Sequence, residues 1–395
     1  MIKGIQITFG LMLSAVVLAG CSSNDVQRHA DLQPIEATTQ ANVLWSTKVG
    51  SGSDDFYSRL QPVYEDGVLY VADRHGLIVA LSAEDGSTIW ERELSEDGRW
   101  FGRLTRGESA RISAGPKLVD DTLYIPSENG FLFALDKTNG ETKWSAQLRG
   151  ELVSEPAVGE GFVVAHLGNG FIVALDAEDG SPVWEYEEET ALLGLRGTST
   201  PTIVSGGVVL GTATGKGIVL LLDGGRLAWE QRVSAPTGSS ELERMVDVDG
   251  SPLVAGSNVY MSAFNGETIS LALMSGEIEW KRDYASARQL QLLRNRLLVV
   301  TQEGHVISAD RFSGNERWRN SDLYYRSVTE PALQGNYFVV GDRFGYLHWL
   351  SIDSGEIEGR LLLNEDDQIH TAPVAVEDNI AVQTASGRVY LIETR

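Results

Sequence analysis

The sequence predicts an all-β fold: one eight-bladed β-propeller of four-stranded antiparallel blades, closed into a ring by an N-terminal strand. Three observations predict it. A unit with a loop Gly and a Trp recurs along the chain, and the two are 14 residues apart in all six units that have the Trp: Gly76 to Trp90, Gly130 to Trp144, Gly170 to Trp184, Gly215 to Trp229, Gly266 to Trp280 and Gly304 to Trp318. Repeats separated by 38 to 54 residues, each with four strand-like runs, are the mark of propeller blades. The last unit starts at Pro373, has its loop Gly at Gly387 and stops at Arg395 before its Trp, while a lone Trp strand, Asn42-Val43-Leu44-Trp45-Ser46, stands at the other end of the chain. Finally, 42 Gly and 9 Trp among 395 residues suit many tight turns and repeated aromatic anchors. Length alone suggests two or three domains; the repeat places residues 41–395 in one.

Taken in order, residues 1–20 read as an export signal. Lys3 is the only charge among them, an apolar run follows from Ile5 to Val17, and small residues precede Cys21. The run is short for a spanning helix, which needs about 20 apolar residues. Leu18-Ala19-Gly20-Cys21 resembles the bacterial lipobox, which implies that Cys21 becomes a lipidated N-terminus carrying a diacylglycerol and an N-acyl chain, enough for stable anchoring. By the same resemblance Ser22 favours the outer membrane over the inner. Residues 21–40 are polar and without periodicity, and read as a flexible tether.

From residue 41 onward each blade is built alike. A Pro-started apolar run opens it at Pro62, Pro116, Pro156, Pro201, Pro252, Pro331 and Pro373, and Pro to Trp is 28 residues in all five units that have both. A β-branched run follows, then an Ala-Leu-Asp-like run such as Phe131-Leu132-Phe133-Ala134-Leu135-Asp136. Glu84-Asp85-Gly86, Thr138-Asn139-Gly140 and Glu178-Asp179-Gly180 read as tight hairpin turns in which Gly supplies positive φ. The Trp then packs between adjacent blades. Two units depart from the pattern: Leu290 stands where Pro is expected, and Gly359 where Trp is expected.

Little in the chain points to chemistry. A net charge of −23 argues against a nucleic-acid binder. The single Cys excludes an intrachain disulfide or a Cys-x-x-Cys site. The six His residues lie at no metal-ligand spacing and join no Gly-x-Ser-x-Gly elbow. Gly211 to Gly217 lacks the glycine spacing of a phosphate loop. Asp247-Val248-Asp249-Gly250 lacks the Gly and Glu of a calcium loop. No catalytic residue, cofactor or metal is therefore expected.

If the blade core is fixed, function belongs where spacing varies. The connections from each Trp strand to the next Pro leave 25, 22, 16 or 11 residues after Trp90, Trp229, Trp184 and Trp144, and all emerge on one face. Two carry unusual residues: the apolar Ala191-Leu192-Leu193-Gly194-Leu195-Arg196-Gly197, and Glu241 to Asp249 with its acidic pair. An apolar patch with an Arg and nearby acids suits a protein-binding surface. In the opposite reading the leucines fold back onto the blades and Arg196 pairs with an Asp.

The Ala-Leu-Asp-x-x-x-Gly-x-x-x-Trp unit resembles the PQQ-type propeller repeat across residues 42–395. That repeat admits a quinoprotein dehydrogenase, an enzyme class that places adjacent cysteines and calcium ligands beside its quinone, or a non-enzymatic scaffold. The lipobox, closing strand, eight units and lack of a cysteine pair together are similar to the BamB family, lipoproteins of the machinery that folds β-barrels into the bacterial outer membrane. The resemblance implies a lipid-anchored scaffold on the periplasmic side of the outer membrane, docking on the periplasmic domains of BamA. Contact of nascent outer-membrane chains with the propeller is left open, because no residue here marks a site for them. Leu193, Leu195, Arg196, Asp247 and Asp249 match the family's docking segments. They are expected to form one contact patch, with Arg196 pairing with a partner carboxylate or with Asp247 or Asp249.

Overall fold

The computed structural model describes residues 29–54, 56, 58–94 and 109–395. The export signal and Cys21 lie outside them. Among the described residues, eight four-stranded antiparallel sheets follow one another around a ring. Blade 1 is built from strands Val63–Glu65, Val68–Ala72, Leu77–Ser82 and Thr88–Glu93, running from the axis outward. Blades 2 to 7 repeat the pattern over residues 117–147, 157–187, 202–232, 253–282, 291–320 and 332–362. Blade 8 takes three strands from residues 374–394, and its outer strand is Ala41–Lys48. The inner strands of blades 8 and 1 touch, so the ring closes.

The second and third strands of each blade are buried on both faces between neighbouring blades, which is why they read as unbroken apolar runs. The outer strand is exposed except at its Trp and alternate residues. A bulge lies one residue before that Trp: Ala80 pairs with Trp90 but Leu81 with Thr88, leaving Ile89 as the extra residue. The N-terminal strand copies this detail. Val43 pairs with Ile392 and Trp45 with Leu391, so Leu44 is its extra residue.

The bulge aims each Trp at the next blade. Trp90 Nε1 donates to the Lys137 carbonyl at 2.9 Å, Trp184 to Leu222 at 2.7 Å, and Trp45, across the closing seam, to Ala83 at 3.0 Å. The ring plate covers the hairpin turn of that blade. At Gly86, with φ of +71°, a Cβ would lie 2.5 Å from Trp45, so the turn Gly serves the plate as much as the turn.

Blade 7 shows why one Trp is missing. Blade 8 borrows its outer strand, so it has no third hairpin turn to be covered. Residues 38–40 occupy that place: Thr38 and Thr39 N–H donate to the Glu358 carbonyl, and Gln40 exchanges backbone hydrogen bonds with Arg395. A Cβ at 359 would lie 2.5 Å from Thr39, which leaves room only for Gly. The large ring has moved across the strand pair, because Trp349 pairs with Gly359 where other blades pair a smaller residue with Trp. Trp349 is fully buried and donates to Gln334 Oε1 at 2.7 Å.

One expectation is corrected at this edge. The segment assigned to a flexible tether up to residue 40 is fastened to the ring from Ala30 on. Ala30 N–H donates to the Tyr324 carbonyl, Arg326 and Arg360 donate to the carbonyls of Ala30 and Gln33, and Leu32 and Ile35 pack on the core of blades 6 and 7. The polar composition concealed two apolar anchors at i and i+3.

Candidate functional site

The loops between second and third strands share one face with the connections between blades and are hydrogen-bonded to them, as Gly168 is to Glu151 and Ile112 to Arg74. They surround an axial cavity of about 1270 Å³. Four of its acids are engaged within the chain. Asp249 pairs with Arg59 at 2.5 Å, Glu155 with Lys117 at 3.6 Å and Glu330 with Arg288 at 3.8 Å, while Asp367 accepts from Thr384 and Ser386 at 2.6 Å. Among the described residues no three His, Cys, Asp or Glu side chains are grouped to hold a metal ion. With these carboxylates committed and the single Cys at position 21, the residues present do not fit a calcium-bound quinone.

The two singled-out segments meet on this face, but not as one contact patch. Leu192 is fully exposed and Leu193 half exposed, at 101% and 48%. Arg196 keeps half of its side chain in solvent, and Leu195 is half buried. Asp247 and Asp249 are buried beneath them, each 4% exposed. Asp247 Oδ1 accepts the Leu195 N–H at 2.9 Å. Asp249 holds Arg59, which also donates to the Thr198 carbonyl at 3.0 Å. The two glycines of Leu193-Gly194-Leu195-Arg196-Gly197 are fitted to these acids: a Cβ at 194 would lie 2.7 Å from Asp247 Oδ1, and one at 197 would lie 2.5 Å from Asp249 Oδ2. Each Asp therefore sits under a Gly, and the acidic pair shapes the apolar loop from below.

Arg196 pairs with neither Asp. It reaches Glu128 of blade 2 at 3.0 Å, with Glu151 at 3.9 Å. Glu128 is already held by both Nη atoms of Arg74, at 2.8 and 2.7 Å, and Arg74 stacks over Phe56. Burial alone would push the Glu128 carboxyl up, but hydrogen bonds from Arg74 and Arg196 outweigh it and hold the group below its ordinary range. Arg74, Glu128 and Arg59 escaped the sequence reading because their partners lie 54 to 190 residues away. Leu192 stood in the apolar run but was not among the expected contacts.

Asp247 differs from Glu128. Burial, opposed by the Leu195 N–H and aided by nearby Asp249, pushes its carboxyl up to about 6, and its Oδ2 has no partner. An acid whose folded pKa is raised favours folding at low pH and loses that contribution as pH rises from its ordinary 3.8 through about 6. The loss by pH 7 is about 2–3 kcal/mol. In Asp247→Asn the amide oxygen still accepts from Leu195 but cannot ionise. Denaturant unfolding between pH 4 and pH 7 should then show a steeper decline in wild type than in the variant, the difference being this loss. Equal slopes would contradict the assignment.

A family model described as outer membrane protein assembly factor BamB matches residues 33–100 and 99–320. The chain belongs to the BamB family. Proteins named outer membrane protein assembly factor BamB from Alteromonas naphthalenivorans and Escherichia coli are 39% and 37% identical to it. Each alignment spans 96% of this chain, and 94% and 97% of the two relatives. A crystal structure of BamB from Moraxella catarrhalis, 23% identical, aligns with a TM-score of 0.78 over 89% of this chain and 99% of its own. The quinohemoprotein alcohol dehydrogenase of Comamonas testosteroni shares the propeller, with a TM-score of 0.70 and 14% identity over 89% of this chain and 76% of its own. That likeness is one of fold. BamB membership decides between the two functional readings in favour of an outer membrane assembly factor, with participation in the Bam complex and association with the outer membrane.

Proposed function

We propose that this chain is a lipid-anchored scaffold on the periplasmic side of the outer membrane that docks on the periplasmic domains of BamA. Leu192, Leu193, Leu195 and Arg196 would make the contact, and Asp247 and Asp249 would hold the loop that presents them. Cys21, with its lipobox, would carry the lipid. The observation that carries the docking proposal is the pair of exposed leucines on a loop whose backbone is pinned from below at Leu195 and Thr198. Soluble proteins seldom expose adjacent leucines on a well-supported loop unless something covers them. Arg196, paired on one side and open on the other, supplies the orienting charge at the rim.

The test is capture by the periplasmic domains of BamA. Truncating a central anchor typically costs about 2 kcal/mol, or roughly thirtyfold in affinity. Leu193→Ala with Arg196→Ala should reach that loss while thermal unfolding stays close to wild type, since both side chains lie largely outside the core. Wild-type capture by the double variant would place the docking surface elsewhere.

A further inference from the structure

We propose that His166 is the positioning residue of the docking loop: as an imidazolium it staples the two ends of connection 188–201 together, and loss of its proton releases one of those two ends. The inference rests on the docking proposal above only for the loop's purpose. The staple itself follows from geometry.

His166 ends the strand Phe162–His166 of blade 3 and is 4% exposed. Its Nε2 lies 3.0 Å from Glu188 Oε1, and its Nδ1 lies 3.1 Å from the Ser199 carbonyl oxygen. Glu188 is the first residue after the outer strand of blade 3, and Ser199 stands three residues before the first strand of blade 4. The two partners are therefore the neck of the loop that carries Leu192, Leu193, Leu195 and Arg196. The His166 carbonyl adds a third tie, accepting from Thr198 Oγ1 at 3.1 Å.

Both atoms facing the ring are acceptors. A carbonyl oxygen has no proton to give, and a carboxylate has none when ionised. A neutral imidazole donates once, so its second nitrogen would turn a lone pair on an oxygen. With the proton in place both bonds form and the charge is balanced by Glu188, whose side chain is 7% exposed. The charged groups around the ring agree. Glu188 faces it directly, Asp249 adds attraction from the connection between blades 4 and 5, and Arg59 is turned toward Asp249. Burial lowers the ring's pKa, but Glu188, the Ser199 carbonyl and Asp249 raise it further, and the net direction is upward from 6.5. The staple is thus whole at pH below this value and opens as pH rises through the raised one.

Two readouts test this on the full chain. The imidazole resonances of His166 should titrate above 6.5, and the amides of residues 191–197, corrected for intrinsic exchange chemistry, should exchange at least about tenfold faster above that midpoint than below it. The measurement is repeated in Asp247→Asn, which removes the carboxyl of raised pKa that accepts from the loop's Leu195 N–H. Glu188→Gln should lower the midpoint and flatten the exchange profile. A wild-type His166 that titrates at or below 6.5, or loop exchange that ignores its titration, overturns the staple, and neither result depends on the variants folding. Capture by the BamA periplasmic domains, followed over the same pH range, separates the two ideas. Exchange that follows the titration while the Leu193→Ala, Arg196→Ala variant is captured as well as wild type would sink the docking reading and leave the staple standing.

Discussion

Deleting Ala41–Lys48 is expected to convert the protein from a monodisperse ring into an aggregating chain. The strand supplies every hydrogen bond on the outer side of Arg388–Thr394 and the Trp that covers the turn of blade 1. Without it, the buried pairs Val389–Leu391 and Leu69–Leu81, now facing one another under Trp45, lose their cover, and an unpaired edge is exposed at the seam. Trp45→Ala is the graded version. It keeps the strand but removes the plate, at a cost of about 3 kcal/mol. Size-exclusion chromatography and thermal unfolding distinguish the outcomes. A soluble monomeric ring after deletion would show that the other seven blades hold the fold unaided.

Glu128→Ala should be the most damaging single change near the candidate site. Arg74 and Glu128 are each 7% exposed at the side chain, so the substitution leaves a guanidinium buried without its carboxylate. Breaking a buried pair from one side typically costs about 3–5 kcal/mol. It also releases Arg196, so the loop should loosen as the blade weakens. Glu128→Gln keeps an acceptor and should cost less. The pH dependence runs opposite to that of Asp247. A carboxyl held below its ordinary value of 4.5 contributes fully above that pH, and its contribution drains away as pH falls through the depressed pKa. Unfolding at pH 7 and in acid checks both statements. A variant as stable as wild type at pH 7 would remove the buried pair from the account.

The ring was legible in the sequence because its repeated parts answer to local rules. The 14-residue interval reflects a bulge, a turn Gly and a Trp that must coincide, and all three leave a mark within one blade. The exchange of strand ends was legible for the same reason, since Asn42 to Ser46 supplies what the last unit lacks. The missing Trp at Gly359 could be noticed but not explained, because the cause lies in Thr39, some 320 residues away. The candidate site was legible as two segments and no further. Alternation and spacing say nothing of which charges meet between blades, so the reading of Arg196 as paired with a partner carboxylate or with Asp247 or Asp249 missed Glu128, which holds it. The burial of those aspartates was hidden too. It is set by glycines more than fifty positions away that leave room for them, and an acidic pair in a loop otherwise reads as solvated.

The seam gives the molecule a clock as well as a closure. The strand bearing Trp45 is among the first parts of the ring to be synthesised, while Tyr390 and Leu391, which it must pair, are among the last. Closing so long a loop costs little more entropy than closing a short one, but it cannot begin until the whole chain is present. Intermediate lengths can stack blades one on the next, each offering its Trp to the turn that follows, yet none can dock Trp45 and cap residues 38–40 with Arg395. Burial of the first tryptophan thus reports that the last strand has arrived, and a chain cut before Arg388 would be left with Ala41–Lys48 unpaired and open to proteolysis.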